Sequence, residues 1–110
     1  MDGSSQSSAK VYSNLAAALC KMNKYDDAYD AAKKCTEVDP AWAKGFWRLG
    51  VTEELQKDFI HALDSYTKAV EINPEEATFI KAVSYNYSYV LFTLIHAINT
   101  IYLMLSYIHT

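Results

Sequence analysis

Between residues 9 and 74 apolar side chains return every three or four positions, the spacing that gathers them on one face of a helix. Tyr12, Leu15, Ala16 and Leu19 set a first face, and Asn23-Lys24 interrupts it. Tyr25, Ala28, Ala32 and Cys35 set a second face, which Asp39-Pro40 brings to an end. Asp39 is expected to cap the next helix, with Pro40 at its first position, where an absent N–H is tolerated. The plan then repeats. Phe46, Leu49 and Gly50 are expected inside, Asp58 at a cap, and Phe59, Ala62, Tyr66 and Ala69 on the following face. Asn73-Pro74 opens a third stretch, in which Ala77, Ile80, Val83 and Ser84 continue the spacing.

The repetition is literal. Pro40 and Pro74 lie 34 residues apart and close two similar phrases, Thr-Glu-Val-Asp-Pro and Val-Glu-Ile-Asn-Pro. Sliding residues 9–40 onto 43–74 gives eight identities, among them Lys10/Lys44, Leu15/Leu49, Ala28/Ala62 and Asp30/Asp64. Tyr12/Phe46, Ala16/Gly50 and Tyr25/Phe59 keep their size class. Self-similarity at this period marks an array of helical pairs. The small residues Ala16, Gly50, Ala28 and Ala62 let helices approach, and Tyr25, Phe59 and Tyr66 fill the space around them.

These residues resemble the tetratricopeptide repeat, an all-α solenoid of helix-turn-helix units. The likeness runs from Ala9 to Pro74, with repeats over 9–42 and 43–76, a capping helix from 75 and a domain ending near 88. It implies a binding scaffold with no enzymatic activity, and no cofactor or metal. A narrower resemblance rests on a few residues. Tyr12-Ser13-Asn14 followed by small residues, and Ala-Lys-Gly-Phe-Trp-Arg-Leu-Gly at 43–50, resemble the carboxylate-clamp group of co-chaperones. That resemblance implies binding to the acidic carboxy-terminal tails of heat-shock chaperones, which end in Glu-Glu-Val-Asp. Family clamps use three repeats, and the Lys and Asn of their first repeat have no counterpart here, so the resemblance implies a partial clamp.

The chemistry is reasonable in itself. Lys44 and Arg48 are four apart and share a helix face. Asn14 has the same offset in the preceding unit as Arg48, and Lys10 the same as Lys44. Arg offers a fork of donors to a carboxylate, Lys a mobile charge, and Asn an amide. Trp47 is a candidate wall for a peptide side chain, or packing for the next element.

Charge alters the picture more than composition does. The chain carries a net charge of −3 over 110 residues, which excludes a dedicated nucleic-acid binder. All of its charged residues lie between Asp2 and Lys81. Residues 1–8 hold no apolar run and no basic residue, so they are expected to be a disordered leader rather than a targeting signal. Cys20 and Cys35 are expected to be buried free thiols, which suits a reducing compartment such as the cytosol. His61, His96 and His109 lack partners at metal-ligand spacing, and no phosphate loop or nucleophile motif occurs.

Residues 89–108, from Tyr89 to Ile108, include 15 apolar or aromatic residues among 20. Three readings stand open. The segment could anchor the chain at the cytosolic face of a membrane, making it a membrane adaptor. It could cap the last repeat, with Thr93, His96 and Thr100 facing water. It could also be a tail not selected together with the repeats, since Tyr85, Tyr87 and Tyr89 alternate with Asn and Ser, unlike the text before Lys81.

Overall fold

The computed structural model describes residues 3–109, and its regular structure is helical. Five helices follow one another: α1 (Gly3–Lys21), α2 (Tyr25–Val38), α3 (Ala43–Leu55), α4 (Phe59–Ile72) and α5 (Ala77–Ile108). Each packs mainly on its neighbours in sequence, and α1 also touches α3. This is the nearest-neighbour logic of a solenoid.

The turns inside the two repeats are copies. Asn23 (φ 60°) and Lys57 (φ 67°), 34 residues apart, both adopt left-handed backbone. In the first, the Lys24 N–H donates to the Leu19 carbonyl (2.9 Å) and the Asn23 N–H to that of Cys20 (3.0 Å). In the second, Asp58 donates to Glu53 (2.9 Å) and Lys57 to Glu54 (3.0 Å). These paired bonds satisfy helix-end carbonyls and reverse the chain in three residues. Asp58 then caps α4 as expected, accepting from the His61 N–H at 3.2 Å.

The core is built from small residues at repeated positions. Ala9, Ala16, Ala28, Ala32, Ala62 and Ala69 are fully buried, and Ala43 nearly so. One pair of positions is filled in two ways. In the first repeat Ala16 packs with Ala32. In the second, Gly50 faces Tyr66, whose ring lies where a glycine Cβ would stand, 2.6 Å from that point. The large ring is admitted because its partner has no side chain. Tyr66 is 1% exposed, and its hydroxyl donates to Glu54 at 2.6 Å.

Several expectations are corrected. Residues 3–8 are not a disordered leader: they form the first turns of α1, and the rest of the expected leader, Met1 and Asp2, lies outside the described residues. The Ser-rich stretch continues the helix that Ala9 anchors, because propagation from an existing turn fixes only one residue per added bond. Leu15 is exposed rather than inward. Asp39 does not cap α3, which starts at Ala43. It sits at the end of α2 and accepts from the Ala41 N–H at 3.3 Å, holding the corner around Pro40.

The third stretch is turned from its expected orientation. Phe79 and Asn86 are buried and Val83 half-buried, whereas Ile80 and Ser84 are exposed. Ala16 and Gly50, the counterparts of Ser84, are covered by the second helix of their own repeat. Among the described residues no helix follows α5 to do this, so only the side facing α4 is covered. Phe59 meets Tyr89 there, with ring centroids 4.2 Å apart. Beyond Val90 every described residue is exposed, so the segment does not fold back as a cap. The capping helix and the apolar segment are one unbroken helix of 32 residues, which draws the molecule out to 67 × 31 × 19 Å.

Candidate functional site

Arg48 is the hinge of the site. It projects from α3 toward α1, where its Nε reaches 3.5 Å from the hydroxyl of buried Ser13. Its guanidinium carbon lies 4.8 Å from the centre of the Trp47 ring. A cation over an indole face is held without losing its charge. Ser13 and the indole therefore fix Arg48 while its terminal donors stay unengaged among the described residues.

In the sequence Ser13 stands only as part of the Tyr12-Ser13-Asn14 phrase, and nothing local marks it as the partner of Arg48. Its neighbour Asn14 is exposed, on the strand of helix that Arg48 reaches. Lys10 lies one turn earlier, also exposed. Lys44 lies one turn before Arg48, with Cβ atoms about 5–6 Å apart at that spacing. The side chains of Lys10, Asn14 and Lys44 have no hydrogen-bond or ion-pair partner among the described residues. The fold thus brings together Lys44, Trp47 and Arg48, and Asn14 stands next to the Ser13 that Arg48 touches. Lys10 lies at the edge of this group.

Trp47 takes up one of its two expected roles, packing on the next element. Its ring packs on Phe79 of α5, with centroids 6.2 Å apart. Together with Lys44, Glu76 and Thr78, these two rings line a cleft of about 260 Å³. Glu76 is turned inward to its own helix end, accepting from the Thr78 N–H at 3.4 Å. Phe79 could have been found only by aligning the third stretch to the repeats, where it replaces Gly45.

The electrostatic surroundings are those of a buried core beside the Arg48 cation. Burial pushes the Cys20 and Cys35 thiols above their usual range, and the Arg48 charge opposes both shifts. Both cysteines are free, Cys35 buried and Cys20 partly so, and the Cys35 thiol donates to the Ala9 carbonyl at 3.1 Å. Such thiols are packing groups rather than nucleophiles. Burial, then the Glu54 carboxylate, hold the Tyr66 phenol far above its ordinary range. His61 pairs with Asp58 at 2.7 Å on an exposed helix start. No cluster of potential metal ligands occurs among the described residues.

Known proteins share the repeat architecture. The tetratricopeptide-repeat profile matches residues 9–41 and again residues 43–76. The Hsp70-Hsp90 organizing protein 2 of Arabidopsis thaliana is 41% identical over 74 residues, which is 67% of this chain and 13% of that protein. The heat shock protein STI1 of Saccharomyces cerevisiae is 35% identical over 63 residues, 57% of this chain and 11% of that protein. The chain thus spans about an eighth of the length of these relatives. Among solved structures, the Arabidopsis OM64 TPR domain superposes with a TM-score of 0.67 at 23% identity, over 72% of this chain and 65% of that one. A structure of MamA gives 0.65 at 29% identity, over 74% and 47%.

Proposed function

The chain belongs to the tetratricopeptide-repeat family, and from that premise we propose that it is a co-chaperone-type interaction module that grips the free carboxylate end of an acidic peptide. The repeat family and the Hsp70-Hsp90 organizing relatives support a protein-interaction role rather than catalysis. The peptide class follows from the site. Arg48 supplies charged donors to a terminal or side-chain carboxylate, Lys44 a second charge one turn away, and Asn14 an amide for the peptide backbone. Trp47 and Phe79 offer an apolar wall to a side chain upstream of the carboxylate. Lys10 adds long-range attraction at the edge. Carboxy-terminal tails of heat-shock chaperones have this chemistry, and the cytosol is where the free thiols and such tails coexist.

The observation that carries the reading is the seating of Arg48, held against Ser13 and Trp47 with donors left over. Titration calorimetry with a peptide ending in Glu-Glu-Val-Asp tests it. Charge-assisted bonds contribute about 1.5–3 kcal/mol, so Arg48→Ala is expected to weaken binding roughly 10- to 100-fold. Amidating the peptide's end should have a comparable effect on the parent, and Lys34→Ala on α2 should have none. Equal affinity for the acid and amide forms sinks the proposal.

A further inference from the structure

We propose that residues 90–108 of α5 cross a lipid bilayer, so that one rigid helix joins the membrane to the peptide cleft. The inference is independent of what the cleft binds. Ala77–Ile108 is long and apolar enough to span a membrane, and its apolar part is not a core helix, because none of it is buried. Its occupant follows from how the apolar positions are distributed. Ile101, Tyr102, Leu103 and Met104 project about 100° apart and so cover the whole circumference. They are 57, 68, 67 and 60% exposed. A protein groove covers one stripe of a helix, and a turn apolar all round, as over 101–104, calls for an apolar medium on every side.

Length agrees. Residues 90–108 extend roughly 28 Å along the axis, against a hydrocarbon core of about 30 Å. Charge ends at Lys81, before the span begins. Tyr85, Tyr87 and Tyr89 stand at one end and Tyr102 and Tyr107 toward the other, as amphipathic rings do at membrane interfaces.

The polar residues within the span are largely answered by the helix itself. The Thr93 hydroxyl donates to the Val90 carbonyl at 2.8 Å, and that of Thr100 to the His96 carbonyl at 2.9 Å. Neither hydroxyl then needs a partner from lipid. The His96 ring stacks on Phe92, with centroids 6.4 Å apart and planes at 9°. Asn99 keeps an uncharged amide near mid-span.

Because α5 runs unbroken, Phe79 in the cleft stands about 16 Å along the axis from Val90. The peptide site is therefore held close above the bilayer surface at fixed height.

Flotation of the full chain with phosphatidylcholine vesicles, followed by carbonate extraction, tests the proposal. The parent should float with the vesicles and stay with them at alkaline pH until detergent is added. Ile98→Arg/Ile101→Arg should lose flotation while keeping its helical signal and its affinity for the acidic peptide, since both residues are exposed and line no cleft with the repeats. Ser84→Lys, exposed but outside the span, should float like the parent. Release of the parent by carbonate overturns the proposal, as does its recovery without vesicles as a soluble monomer, defined oligomer or complex. Flotation of the double-arginine variant also overturns it.

Discussion

Gly50→Ala is expected to destabilise the repeats although it improves a helix. In an open helical position the change stabilises by about 1 kcal/mol, because glycine sacrifices more chain freedom on folding. Here the added methyl would meet Tyr66 Cε1 at 2.6 Å, Cδ1 at 2.7 Å and Cζ at 3.0 Å. Carbon atoms normally rest about 3.5–4.0 Å apart, so the ring must move by roughly 1 Å. It has little freedom to do so, being buried and tied through its hydroxyl to Glu54. Overpacking costs about 1–3 kcal/mol, and straining the bond to a carboxylate forfeits part of a further ~1.5–3 kcal/mol. The net loss is about 1–3 kcal/mol, or a fall in Tm of roughly 5–15 °C for a domain of this size. Thermal unfolding of the full chain in mild detergent, followed by circular dichroism, measures it. The decisive arm is Tyr66→Ala. With the ring gone, Gly50→Ala should turn stabilising, as Ala16 packing with Ala32 in the first repeat shows to be a workable pairing. A stabilising Gly50→Ala in the parent, or additive effects across the cycle, would refute the reasoning.

Lys57→Gly should raise stability by roughly 0.5–1 kcal/mol in the same unfolding assay, because Lys57 holds φ at 67° without a side chain suited to that region. Lys57→Val should lower it. Glu53→Gln should stabilise at neutral pH. Burial pushes the Glu53 carboxyl up, with the Ser65 hydroxyl at 2.5 Å opposing the shift. Its charged form is thus disfavoured in the fold, and the parent loses stability as pH rises through that raised pKa. The gap between Glu53→Gln and the parent should open with rising pH and close below about pH 4, where both the folded and unfolded carboxyls are protonated. A gap that is constant across pH would mean that Glu53 is not penalised by burial.

Much of the site was legible because it repeats. The 34-residue offset makes Asn14 the repeat counterpart of Arg48, and the helical period sets Lys44 one turn from Arg48. Ser13 and Phe79 were not legible in that way. Ser13 matters only through its closeness to Arg48, a residue 35 positions away. Phe79 matters because α5 is turned to present it to Trp47.

The order of the helices, the reversals between them and the chargeless run were all written in the sequence, because helix formation, chain reversal and hydropathy depend on neighbours within a few residues. The three-dimensional arrangement decided what depends on distant partners. It matched the volumes of Gly50 and Tyr66, seated Arg48 between Ser13 and Trp47, and turned α5 so that Phe79 rather than Ile80 is covered. It also carried α5 unbroken out of the repeats, leaving residues 91–109 exposed. Packing satisfies volume and charge among residues brought together from far along the chain, and no local pattern records which of them will meet.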